Sequence, residues 1–132
     1  MERLAGQLEA AVRARDAPMA LVGYSRGGLF ARVLAVRRPE LVSTVVTLGS
    51  PHRDQLAVHP VAWATAFGLA TTEKSGISAI ARYGCGSGGC CRSFEADLLA
   101  SLPRNVRLTS IYSRRDGIVD WRACLRKRQR TM

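Results

Sequence analysis

The chain has 132 residues, 47% of them hydrophobic, and a mean hydropathy of −0.01, which is enough for one core, sets a ceiling of one domain and excludes a disordered chain. No run approaches the ~20 apolar residues of a membrane span, and Met1-Glu2-Arg3 opens a helix rather than a signal peptide, so as written the chain reads as soluble, untargeted and cytoplasmic. The formal charge of +10 invites a polyanion partner, yet nine basic residues and only two acids lie in 104–132, so the body is nearly balanced.

Residues 2–15 place Leu4, Leu8, Ala11 and Val12 on one stripe at helical period, the pattern of a helix that covers a sheet. Asp16-Ala17-Pro18 ends it. Met19 to Tyr24 is almost wholly apolar, as expected of a central strand in a parallel sheet covered on both faces. Next comes Gly23-Tyr24-Ser25-Arg26-Gly27, a serine at G-x-S-x-G spacing, with an amphipathic run directly behind it. Strand, sharp turn and helix in that order hold a serine in a strained backbone conformation, with small residues two positions either side, Gly23 and Gly27, letting strand and helix approach. The hydroxyl then stands at a helix N-terminus, where the dipole and the Arg26 amide favour a developing negative charge. The alternative is an ordinary glycine-rich strand-to-helix turn.

From Arg26 to Arg38 the buried stripe is Leu29, Phe30, Val33 and Leu34; Arg37 and Arg38 complement the dipole at the C-terminal end and Pro39 stops the helix. Leu41 to Leu48 is β-branched and predicts a second strand, parallel to the first because one helix connects them. Gly49-Ser50-Pro51-His52 ends it on the same side as Ser25. Residues 53–103 contain no clear strand: 61–69 and 93–102 have helical spacing, and between them Tyr83 to Cys91 is glycine- and cysteine-rich and expected to be flexible. Val106 to Tyr112 predicts a third strand, followed by Ser113-Arg114-Arg115-Asp116 and Asp120-Trp121. Residues 126–132 form a basic tail without the interleaved aromatics that stack on bases, so no specific nucleic-acid partner is expected.

Three stretches in sequence, Gly23-Tyr24-Ser25-Arg26-Gly27-Gly28, Thr47-Leu48-Gly49-Ser50-Pro51-His52 and Ile111-Tyr112-Ser113-Arg114-Arg115-Asp116-Gly117-Ile118-Val119, resemble landmarks of the lipase and esterase branch of the α/β-hydrolases. The resemblance runs from about Ala17 to Leu125 and matches the middle of that fold. It implies an α/β chain with a partial α/β-hydrolase fold: a three-stranded parallel sheet, flanking helices and a helical insertion over 53–103 in the place of a lid or cap. The domain is expected to span 1–125.

The same resemblance implies carboxylic-ester hydrolysis through an acyl-enzyme on Ser25, with Arg26 N–H in the oxyanion hole, Asp116 as triad acid ahead of Asp120, and Tyr24 and His52 facing substrate. No cofactor or metal is implied, and the expected substrate is a small apolar ester or lipid. A serine needs a base, in this family a histidine that follows the acid. None follows Asp116 here; the two histidines are His52 and His59, both upstream. The strand that supplies the second oxyanion amide is likewise unmatched. The expectation is a truncated central piece, weak or inactive, with self-association through exposed sheet edges. The alternatives are a non-catalytic hydrolase remnant and a basic polyanion-binding body. Cys85, Cys90, Cys91 and Cys124 allow two disulfides in three pairings, with Cys91 to Cys124 among them, and disulfides fit exported relatives.

Overall fold

The computed structural model describes residues 2–53 and 89–125. Helix α1 (Glu2–Arg13) leads into strand β1 (Met19–Tyr24), helix α2 (Arg26–Arg37) and strand β2 (Val42–Leu48); helix α3 (Gly89–Leu99), strand β3 (Arg107–Ile111) and a 3-10 turn (Trp121–Cys124) follow. The strands form one parallel sheet in the order β1-β2-β3, so Tyr24, Leu48 and Ile111 stand in one row across the end where the strands stop. This is the partial α/β fold expected from the sequence. No helix among the described residues is long and apolar enough to cross a membrane.

One correction concerns β1. Among the described residues it lies at an edge and β2 is central, and its side chains away from the helices are open: Val22 is 67% and Tyr24 73% exposed. A short apolar run looks the same whether one face or two are covered, because strand order is set by distant pairing partners. The helices share a single face. There Val12 of α1, Ala31, Leu34 and Ala35 of α2, Val42 and Val45 of β2, and Val106 build the main core. A second cluster, Leu29 and Val33 against Phe94 and Leu98, joins α2 to α3, with the Phe30 and Phe94 rings edge to face at 5.1 Å.

The stripe of α1 also departs from expectation. Ala5, Leu8 and Val12 face the core, while Leu4 is exposed and so is Ala11. The small Ala5 side chain lets α1 lie close to α2, where Glu2 meets Arg37. In α3, Gly89, Cys90 and Cys91 are helical rather than part of a flexible stretch, and Leu99 is exposed although Leu98 is buried. The expected 61–69 helix, the rest of the cysteine-rich stretch, His59 and the basic tail lie outside the described residues. Of the 53–103 insertion, α3 packs as a layer on α2. Cys124 is a free, buried thiol, and the side chains of Cys85, Cys90 and Cys91, with the pairings expected of them, lie outside the described residues.

Arg37 and Arg38 do more than face a helix dipole. Arg37 makes paired bonds to both Glu2 oxygens at 2.6 and 2.8 Å and a 2.7 Å bond to Asp97, linking all three helices, and Arg38 reaches Glu9 at 2.7 Å. Hydrogen bonding to Arg37 holds the Glu2 carboxyl below the usual carboxylate range. Paired, partly buried arginine networks exceed isolated surface pairs in strength, so Arg37→Leu is expected to lower the unfolding free energy by about 1–2 kcal/mol, less at high salt. Urea titrations at low and high ionic strength measure this, and equal stability of the two chains at low salt would contradict it.

Candidate active site

The site is built where β1 turns into α2. Ser25 has φ 50° and ψ −123°, and it is the one non-glycine residue with positive φ among the described residues. Such a conformation costs energy and persists only where the surroundings over-determine it. Two backbone bonds do so: the Ser25 N–H donates to the Leu48 carbonyl at 2.8 Å, and the Gly28 N–H donates to the Ser25 carbonyl at 3.2 Å. Although Ser25 sits at the N-cap of α2, its hydroxyl makes no capping bond, so the Oγ is left for other chemistry. The next residue, Arg26, begins the helix, where a first-turn N–H has no carbonyl within the helix to bond.

The glycine that permits this crossing differs from the expected one. A Cβ on Gly23 would fall on the backbone of Gly27 and Gly28, and a Cβ on Gly28 would overlap the Ser50 side chain and stand 3.0 Å from the Gly23 carbonyl oxygen. At Gly27, by contrast, nothing lies within 4 Å of an added Cβ. The close approach is therefore between Gly23 and Gly28. G-x-S-x-G spacing points at Gly27 and misses Gly28, although the doubled glycine in Gly27-Gly28 was a signal.

β2 continues the sheet edge towards Asp116. The Gly49 N–H donates to the Ile111 carbonyl at 2.9 Å, and Gly49 takes φ 53°. Asp116 follows β3. Its Oδ1 accepts the N–H groups of Ile118 at 2.9 Å and Val119 at 3.1 Å, while Oδ2 lies 3.4 Å from where a Cβ on Gly49 would stand. One oxygen thus fixes the loop and the other is turned to the end of β2. Asp120 caps the 3-10 turn by accepting the Arg122 N–H at 2.9 Å and stands 3.6 Å from the Arg122 guanidinium. The turn is itself tied down by bonds from Arg53 N–H to the Ala123 carbonyl and from the Ser110 hydroxyl to the Cys124 carbonyl. Burial, with Asp116 and Asp120 nearby, pushes the Cys124 thiol up.

Of the residues expected to face substrate, Tyr24 is exposed beside Ser25, whereas His52 is only 5% exposed. Neither ring nitrogen of His52 has a hydrogen-bond partner, so it is bonded to neither Ser25 nor Asp116. Burial, reinforced by the nearby positive charges of Arg32 and Arg53, pushes its pKa down to about 4. The Thr47 hydroxyl, on the central strand, is also buried without a partner. Arg32 donates to the carbonyls of Leu98 and Ala100, both at 2.8 Å, and so caps the end of α3. Sequence reading had no signal for that contact, which spans more than sixty positions.

Two outcomes follow from this geometry. Gly23→Ala is expected to cost at least about 2–3 kcal/mol through overlap with backbone, while Gly27→Ala, an exposed helical glycine, stabilises by about 0.5–1 kcal/mol. Thermal melts of the two variants test the contrast, and a destabilised Gly27→Ala beside a normal Gly23→Ala would reverse the assignment. The second concerns pH. Because His52 binds its proton less readily folded than unfolded, stability is full above the unfolded value near 6.5 and is lost as pH falls towards about 4, by up to about 3 kcal/mol. His52→Phe is expected to flatten that part of a stability-against-pH curve, and an unchanged slope in the variant would remove His52 as its source.

Comparison with known proteins identifies the family of the chain. The family described as palmitoyl protein thioesterase matches residues 1–101. A triacylglycerol lipase of Pseudarthrobacter phenanthrenivorans is 52% identical over 33 residues, which cover 25% of this chain and 10% of the lipase. A triacylglycerol lipase of Burkholderia plantarii is also 52% identical over 33 residues, 25% of this chain and 9% of the lipase. The match thus spans about a tenth of the length of these curated relatives. With its serine elbow at the end of a parallel strand and its match over most of its length, the chain belongs to the palmitoyl protein thioesterase family, an α/β-hydrolase family of ester hydrolases.

Proposed function

We propose that Ser25 is the nucleophile of an acyl hydrolase site that accepts a carboxylic ester or thioester with an apolar acyl chain. The observation that carries this reading is the backbone of Ser25, held at φ 50° with its hydroxyl free of any capping bond. In the reaction, Oγ passes its proton to a base and attacks the carbonyl carbon, the Arg26 N–H donates to the developing oxyanion, the alcohol or thiol leaves with that proton, and water cleaves the acyl-enzyme to release the carboxylic acid and the free serine. Asp116 is the acid: Oδ1 is satisfied by its own loop, which leaves Oδ2 to accept an imidazole N–H. Exposed Tyr24, Ile111 and Ile118 offer an apolar rim to the acyl chain.

Among the described residues no histidine is placed to serve Ser25 as a base. His52 is buried with both nitrogens unpartnered, and no histidine stands between Asp116 and Met132. That isolation favours a second reading, in which the same scaffold is present without catalysis. Losing one triad member leaves a residual of ~10³–10⁴ over the uncatalysed rate where the oxyanion hole is intact. Turnover by this chain alone is therefore expected to be slight.

Fluorophosphonate labelling of the purified chain, read by intact mass, separates the readings. Slow labelling that disappears in Ser25→Ala is the expected result. Labelling that persists in Ser25→Ala would overturn the assignment of the nucleophile. A chain folded by circular dichroism that takes no label would favour the non-catalytic scaffold.

A further inference from the structure

We propose that Ser50 is a positioning residue for Ser25, acting through the carbonyl of Leu48; this rests on the reading of Ser25 as nucleophile. The strained conformation of Ser25 depends on its N–H bond to the Leu48 carbonyl and on the Gly28 N–H bond to its own carbonyl. Ser50 meets both supports. Its hydroxyl donates to the same Leu48 oxygen at 3.3 Å, and its side chain fills the space that Gly28 leaves, so closely that any Cβ on Gly28 would overlap it. Ser50 is fully buried, so water has no access to replace that hydroxyl.

The placement also connects the two ends of the site. Ser50 follows Gly49, whose N–H is bonded to β3 and whose Cα faces Oδ2 of Asp116. The hydroxyl therefore fixes the carbonyl that receives Ser25, while its side chain wedges the first turn of α2 against the segment that meets the acid. At 3.3 Å the bond is long, and Leu48 still accepts from Ser25 when it is removed. The consequence is a displaced nucleophile rather than an unfolded chain.

The test compares the parent chain, Ser50→Ala, Gly28→Ala and the double variant Gly28→Ala/Ser50→Gly. Three readouts are taken: melting temperature, the second-order rate of fluorophosphonate labelling, and hydrogen exchange of the Ser25 amide by NMR. Ser50→Ala is expected to melt close to the parent, to label roughly 3- to 10-fold more slowly, the equivalent of one net hydrogen bond, and to exchange the Ser25 amide faster while β1 amides stay unchanged. The double variant recovers part of the melting temperature that Gly28→Ala loses, since the Ser50 overlap is relieved while the 3.0 Å approach to the Gly23 carbonyl remains, but it does not recover the labelling rate, because the hydroxyl is gone. Recovery of both together would reduce Ser50 to a space-filling role and overturn the proposal. So would a Ser50→Ala chain with parental labelling and parental Ser25 exchange. A parent chain that does not label condemns the nucleophile reading by itself, and Ser25 amide exchange then still decides the role of Ser50.

Discussion

The contact on which the rest of the structure depends is the crossing of Gly23 with Gly28. An L side chain at either position would occupy atoms of the other or of Ser50, so strand and helix meet at a distance only two glycines allow. That approach places the first turn of α2 over the end of β1 and forces the intervening serine into the left-handed region. Beyond that turn, α2 presents one set of residues to the main core and another to α3. Ala31, Leu34 and Ala35 fill the first interface; Leu29 and Val33 fill the second. The reactive turn itself rests on a local steric necessity at two residues.

The arginines of the body act as struts. Arg37 and Arg38 bind carboxylates of α1 and α3, and Arg32 binds the last carbonyls of α3. Arg114 and Arg122 lie 4.7 and 4.9 Å from the centre of the Trp121 ring, which also stacks on Tyr112 at 5.9 Å. Cation–π and paired contacts of this kind use guanidinium planarity rather than charge alone. Within the described residues these five arginines thus hold the helices and the 112–122 segment in place while keeping their positive charge.

Much of the fold was legible because it rests on local patterns. Met19–Tyr24 appears with the bounds its apolar run gives, β2 begins one residue later than expected, and β3 is one residue shorter at each end. The serine turn was legible for the same reason: strand, glycine, serine and helix are all encoded within ten positions. What was not legible depends on partners far away in the chain. That β1 is an edge is decided by which strands pair with β2. That Ala5 rather than Leu4 is buried is decided by how closely α1 lies on α2. That Gly28 rather than Gly27 is essential is decided by where Ser50 packs, and Ser50 itself looks in the sequence like any loop serine. The helical start of α3 at Gly89-Cys90-Cys91 runs against the propensity of those residues, and packing of Phe94 and Leu98 on α2 explains why a helix forms there at all.

Ser25 and Asp116 are each held without an imidazole, which explains how their geometry coexists with a buried histidine that bonds to neither. Ser25 is held by Leu48 and Gly28, Asp116 by its own loop, and neither uses an imidazole as a structural bond. His52 contributes the opposite property: buried and held neutral, it behaves as a core side chain whose cost appears on protonation. Neither residue depends on the other for its position, and the sheet edge carries both. Geometry at Ser25 is therefore a guide to the ancestry and the potential of the site, and reactivity is a separate property that depends on where a proton from Oγ can go.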